Sequence, residues 1–189
     1  MRHFPLILII SLCWVLSEIL LAVIRKSRGE GAGKLDKSSF RLLWLVIVLA
    51  ITAGVSIATK GIGLVQAARQ IAAYLGISLI LAGLVIRWVS IITLGKYFTV
   101  NVNISAGHTI IKSGIYKYVR HPSYSGSLLS FLGLGIYFSN WASLVVIFIP
   151  ITASFIYRIK IEEKALKIKF GREYEEYSSK TARLVPGLF

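Results

Sequence analysis

Long apolar runs separated by short polar and basic segments set the pattern of this chain. A helix needs about 20 predominantly apolar residues to cross a bilayer core, with about 17 as a lower limit. Runs of that kind cover roughly residues 3–24, 42–59 and 71–94. After Gly126 the chain stays apolar to Tyr157, broken only at Ser139-Asn140 and followed at once by Trp141. That stretch is too long for one ordinary crossing and short for two. The break predicts a tight turn between helices at an interface, where tryptophan is favoured. Helices over about 127–138 and 141–157 would then form a hairpin, the first arm short for a full crossing.

Composition agrees with the pattern. Of 189 residues, 56% are hydrophobic, and mean hydropathy is +0.72. A water-soluble domain of this size has more polar surface. The expected class is an all-α integral membrane protein of about five transmembrane helices, with residues 1–189 as one membrane domain. The first run is too long for a signal peptide, and no small-residue cleavage site precedes Arg25; it is expected to be a retained span.

Net charge is +14. On a soluble protein that would point to nucleic acid. Here eighteen of the 22 Lys and Arg residues fall in three segments, 25–41, 95–126 and the tail from Arg158. Five crossings put all three on one side; four would move the tail across. The positive-inside rule therefore favours five, with the amino terminus outside and the tail in the cytoplasm. No nucleic-acid partner is expected. The membrane would be the plasma membrane in a prokaryote and the endoplasmic reticulum in a eukaryote.

Cys13 stands alone, and with three histidines no zinc or iron–sulfur spacing arises, so no metal is expected. Glu18 and Arg87 each fall about seven residues from the cytoplasmic end of their runs, roughly 10 Å deep. Equal depth and opposite charge predict an ion pair, because an unpaired charge in a span is costly. The pair is either structural or part of a cavity reaching into the bilayer.

Candidate chemistry lies in residues 95–189. The segment LGKYFTVNVNI is rich in β-formers and predicts an extended piece. GIYKYVRHPSYSG follows, residues 114–126. Gly107 and Gly114 permit turns. Pro122 or Ser123 opens the next helix, and a helix N-terminus with free N–H groups suits an anion. A second constellation, RIKIEEKALKIKFGREYEEY at 158–177, continues out of the last run. Arg158 and Glu162 are one helical turn apart, whereas Glu162 and Glu163 point about 100° apart and cannot face one site equally. By itself this stretch also fits a basic helix lying on acidic headgroups. Gly171 ends or bends the helix.

Gly114-x-Tyr116-x-x-Val119-Arg120-His121-Pro122-x-Tyr124-x-Gly126, followed by Glu162-Glu163 and Phe170-Gly171-x-x-Tyr174-x-x-Tyr177, resembles the isoprenylcysteine carboxyl methyltransferases. The Arg-His-Pro motif is shared with phospholipid N-methyltransferases and, more loosely, with membrane sterol reductases. Ile115 stands where relatives often have proline. The resemblance implies S-adenosylmethionine as donor, with S-adenosylhomocysteine as product, bound at the cytoplasmic face. It implies an acceptor carboxylate on a farnesyl- or geranylgeranyl-cysteine, or another lipid acid, reached from membrane lipid. The cofactor set is His108, Gly114, Tyr116, Val119, His121, Pro122, Tyr124, Glu162 and Glu163, with Glu163 favoured over Glu162 for the donor ammonium. His121, with N–H groups near Val119, would hold the donor's carboxylate or ribose, and Tyr116 and Tyr124 would pack on its adenine or face its sulfonium. Arg120 and Arg158 are the catalytic candidates that could grip the acceptor carboxylate, and sequence does not choose between them. A phospholipid N-methyltransferase would need a base for the amine. An NADPH-dependent reductase would need groups for the 2′-phosphate. A non-catalytic membrane scaffold would leave the Arg-His-Pro and Glu-Glu pairs unexplained.

Overall fold

The computed structural model describes residues 4–24, 34–98 and 109–187. Among them are six α-helices: α1 Phe4–Ile24, α2 Lys34–Thr59, α3 Arg69–Leu94, α4 Pro122–Tyr137, α5 Trp141–Phe170 and α6 Arg172–Lys180. Three stretches are long and apolar enough to cross a membrane, Ser38–Thr59, Gln66–Leu94 and Trp141–Phe170, and Pro5–Leu21 forms a shorter apolar helix. Their outward faces carry large bare hydrophobics such as Leu12, Leu49, Val85 and Ile149, as lipid requires.

The α4–α5 turn falls at Ser139-Asn140. Ser139 takes a positive φ of 49°. The Asn140 side chain accepts the Ser143 N–H at 2.9 Å and so caps α5. The turn is tied to the α2–α3 connection, where Val65 N–H donates to Ser139 O at 2.8 Å. At 30 residues α5 is about 45 Å long, so it outreaches a core of about 30 Å and projects beyond it.

Helices α3 and α4 meet backbone to backbone. Gly76 and Gly83 face Gly133 and Gly126 across the seam. A Cβ on Gly126 would lie 2.5 Å from Gly83 O, and one on Gly76 would lie 2.6 Å from Gly133 O. Small residues at heptad spacing let membrane helices approach this closely. Ser130 Oγ crosses the seam to donate to Ile80 O at 3.2 Å. Gly126, the last residue of the GIYKYVRHPSYSG stretch, is a packing residue here. On the other side of the bundle, α2 and α5 pack through Leu43, Ile47, Ile147 and Ile151, and Ser143 Oγ donates to Gly54 O at 2.8 Å.

Helix α1 has a lighter grip. Ile7 and Leu21 are buried, and Trp14 tilts against Phe131 with ring centroids 4.9 Å apart. Arg87 donates from Nε and Nη2 to the two Glu18 oxygens, each at 2.5 Å, so the pair expected from equal depth forms. Residues 99–108, most of the expected extended piece, lie outside the described residues; Gly95–Tyr97 form a 3-10 turn rather than a strand.

Candidate functional site

A cavity of about 1310 Å³ runs between α1, α2, α3, α4 and α5. Its wall on α5 is a single stripe, Phe155, Arg158, Glu162, Leu166 and Phe170. Steps of three and four residues keep these side chains on one helix face. Glu163, one residue on, is turned away, and the cavity lining leaves it out.

Glu163 is instead the centre of an ion-pair cluster. Its Oε1 accepts from Arg120 Nε at 3.0 Å and lies 3.3 Å from His121 Nε2. Its Oε2 lies 3.0 Å from Arg183 Nη2. A carboxylate so engaged is satisfied by the protein, and it faces away from the cavity that Glu162 lines. Glu162 Oε2 is buried without a hydrogen bond among the described residues and lies 3.7 Å from His121 Nδ1.

Residues 181–184 hold the motif loop from outside, a feature sequence reasoning missed. Arg120 N–H donates to Ala182 O at 2.8 Å, His121 N–H to Arg183 O at 3.1 Å, and Ala182 N–H returns to Tyr118 O at 3.0 Å. The Arg120 guanidinium reaches the same segment, donating from Nη1 to Ser178 O at 2.7 Å and to Thr181 O. Ser125 Oγ donates to Leu184 O at 2.6 Å. The N–H groups near Val119, expected to hold a ligand, are therefore spent internally; Val119 N–H itself donates to Ile115 O.

Six of the predicted site residues share the cavity wall: Tyr116, Arg120, His121, Tyr124, Arg158 and Glu162. Gly114, Val119 and Pro122 shape the loop without lining it. Gly114 turns at φ +57°, and Pro122 occupies the first position of α4. His108 lies outside the described residues. His121 stacks on Tyr124, centroids 5.7 Å apart at 10°. Arg158, 2% exposed, donates to Tyr124 Oη and Ser39 Oγ, each at 3.1 Å, and lies over the Phe40 ring.

Glu18 and Arg87 also line the cavity, so the ion pair is part of its wall. Arg87 Nη1 donates further to Ser123 Oγ at 2.9 Å and Ser127 Oγ at 3.0 Å, fixing the start of α4 beside the motif. Tyr174, on α6, is another lining residue that the sequence reading left out of the site. Its hydroxyl is buried without a partner among the described residues. Burial, with the nearby Glu163 charge, pushes its ionisation well above the ordinary phenol range, so it stays a neutral phenol. Tyr177 donates to Tyr116 O at 2.7 Å and docks α6 under the loop.

This end of the cavity holds two unsatisfied buried polar atoms, Glu162 Oε2 and Tyr174 Oη, within a frame of fixed charges. The unpartnered Glu162 Oε2 and Tyr174 Oη fit the ammonium of an amino-acid portion of a ligand, and the tyrosines fit flat rings and cations.

Comparison with known proteins agrees with the motif. Residues 75–168 match the model of the isoprenylcysteine carboxyl methyltransferase (ICMT) family. A probable protein-S-isoprenylcysteine O-methyltransferase of Oryza sativa subsp. indica is 36% identical over 115 residues, 60% of each chain. Protein-S-isoprenylcysteine O-methyltransferase B of Arabidopsis thaliana is 34% identical over 113 residues, 59% of this chain and 57% of its own. The Saccharomyces cerevisiae protein-S-isoprenylcysteine O-methyltransferase is 32% identical over 121 residues, 63% of this chain and 51% of its own. The chain thus spans between half and three fifths of these relatives. A solved structure of the eukaryotic intramembrane Ras methyltransferase ICMT superposes with a TM-score of 0.61 at 24% identity, over 75% of this chain and 52% of that one, which establishes the fold. The protein is an integral membrane protein with an all-helical fold of this kind.

Proposed function

We propose that the chain, whose residues 75–168 match the model of the isoprenylcysteine carboxyl methyltransferase family, transfers a methyl group from S-adenosylmethionine to the carboxylate of a prenylated cysteine or a similar lipid acid. The observation that carries this reading is the α5 stripe, which turns Arg158 and Glu162 into one cavity a single helical turn apart. Glu162, with Tyr174, takes the donor's ammonium. Tyr116 and His121 bound the donor's remaining polar portion. Arg158, about 6 Å deeper along the helix, grips the acceptor carboxylate. Arg120 is a positioning residue, since its Nε and Nη1 cross-link Glu163 to residues 178–181.

Bound S-adenosylmethionine supplies an electrophilic methyl carbon on a sulfonium. The acceptor carboxylate is ionised at neutral pH, so the residues need to move no proton. One oxygen–carbon bond forms and one sulfur–carbon bond breaks, giving a methyl ester and a thioether. What the protein contributes is orientation and exclusion of water, and orientation alone accounts for about 7–11 kcal/mol of barrier in well-aligned reactions. Five crossings, with the amino terminus outside and the motif face in the cytoplasm, place a water-soluble donor and a lipid acceptor on either side of this site. The three basic segments on one face support that orientation.

The test is transfer from radiolabelled S-adenosylmethionine to N-acetyl-S-farnesylcysteine by the purified protein in bilayers. A base-labile methyl ester is expected. A base-stable methyl group on an amine lipid, with none on the carboxylate, would overturn the reading in favour of N-methyl transfer. Glu162→Gln should weaken donor binding by about 10- to 100-fold, the worth of a charge-assisted hydrogen bond. Donor binding unchanged in that variant would remove the ammonium assignment.

A further inference from the structure

The cavity is far longer than a farnesyl chain, the shorter of the two acceptor chains that the motif resemblance implies. At the motif end Arg158 lies over the ring of Phe40 on α2. From Phe40 the lining continues along α2 through Leu43, Ile47, Ile51 and Val55 to Thr59. That is nineteen residue steps of helix, about 28 Å at 1.5 Å each. A hydrocarbon core about 30 Å thick is filled by two leaflets, so one ordinary chain reaches about 15 Å. A farnesyl group, with twelve carbons in its main chain, reaches no further. The wall beyond that reach remains apolar, with Leu134 and Phe138, and ends at a polar mouth formed by Thr59, Arg69 and Gln70. The passage is continuous with the site, and its two ends differ from its middle in polarity.

We infer that the acceptor is a lipid acid with a chain about twice as long as one leaflet, threaded from Arg158 towards the Arg69–Gln70 mouth. The inference rests on the carboxyl methyl transfer proposed above and narrows its substrate class. Val55 sits about 22 Å from Phe40 along α2, beyond the end of a farnesyl chain and within the path of a longer one. It lines the cavity and is partly exposed, so a larger side chain there narrows the passage without entering a sealed core.

The experiment compares N-acetylcysteine acids carrying a farnesyl chain or a chain of about seven isoprene units, long enough for the ~30 Å core, at equal mole fraction in bilayers. Two readouts are taken: kcat/KM for methyl transfer, and equilibrium binding of each radiolabelled acid without donor. The expected result is that the long acid is the better substrate and the tighter ligand. In Val55→Trp the long-to-short ratio should fall by about tenfold or more through overpacking, with farnesyl transfer kept. If Val55→Trp loses both acceptors, Thr59→Trp, one turn nearer the mouth, takes its place, and the wild-type profile still decides. Equal or better handling of the farnesyl acid by the wild type in both readouts would overturn the inference. Selective binding of the long acid with no transfer to either would keep the cavity assignment and overturn the carboxyl methyl transfer instead.

Discussion

Two contacts of this bundle are built on opposite terms. Along the α3–α4 seam, Gly76, Gly83, Gly126 and Gly133 bring two backbones together with no room for a Cβ. Across the bundle, α1 is held by long side chains, Trp14 on Phe131 and Glu18 on Arg87, and a cavity lies behind it. In lipid there is no hydrophobic drive between helices, so close packing and internal polar bonds must hold them. The seam uses the first and makes a scaffold. The α1 contact uses the second and leaves a space large enough for chemistry.

The sharpest way to break this contrast is to remove one half of the ion pair. Arg87→Ala leaves Glu18 without its partner in the membrane and removes the bonds to Ser123 and Ser127. A loss of about 3–5 kcal/mol is expected, read by thermal unfolding in lipid nanodiscs. The double variant Glu18→Gln with Arg87→Gln should recover a large part of it, because no lone charge remains. Next comes the seam itself. Gly126→Ala forces a Cβ to 2.5 Å from Gly83 O, and should cost about 1–3 kcal/mol in the same measurement. If Gly126→Ala were neutral, the seam would be looser than its geometry states.

The effect of α6 is smaller and depends on pH. Tyr177 is buried, and burial raises its ionisation to about 12 from 10.0. The unfolded chain loses this proton first, so the contribution is intact below pH 10 and is lost as pH rises towards about 12. Unfolding followed from pH 8 upward should show a flat region and then a decline. Tyr177→Phe should soften that decline and remove about 1 kcal/mol at neutral pH, the bond to Tyr116 O. Smallest of all, Leu49→Ala on the lipid-facing side of α2 should stay within about 0.5 kcal/mol.

Much of this was legible from residues that act locally. Ser139-Asn140 marks its own turn because a positive φ and an Asn cap are properties of a few neighbouring residues. Glu18 and Arg87 could be paired from depth alone, since helical rise is fixed. The spacing of Arg158 and Glu162 announces a shared face. Which face α5 turns to the cavity is another matter, because the rotation of a helix is set by its neighbours; that is why Glu163 looked the better ligand and Glu162 lines the wall. The pairing of Arg120 and His121 with residues 182 and 183 joins segments some sixty residues apart and leaves no periodic trace. Arg183 read as one more tail charge. The seven-residue spacing of the seam glycines was present in the sequence, hidden by the motif that contains one of them.

The strap over the motif loop bears on the order in which the protein matures. Arg120 and His121 receive their backbone partners from residues 182 and 183, which are synthesised after all six helices. Chains fold from the amino end as they emerge. Throughout insertion, then, the bundle and its cavity can be in place, with Arg120 and His121 already beside Glu163, while the backbone N–H groups of the motif loop still lack the carbonyls of residues 182 and 183. The strap closes over the loop once the segment after α6 is delivered, and Arg183 then joins the cluster around Glu163.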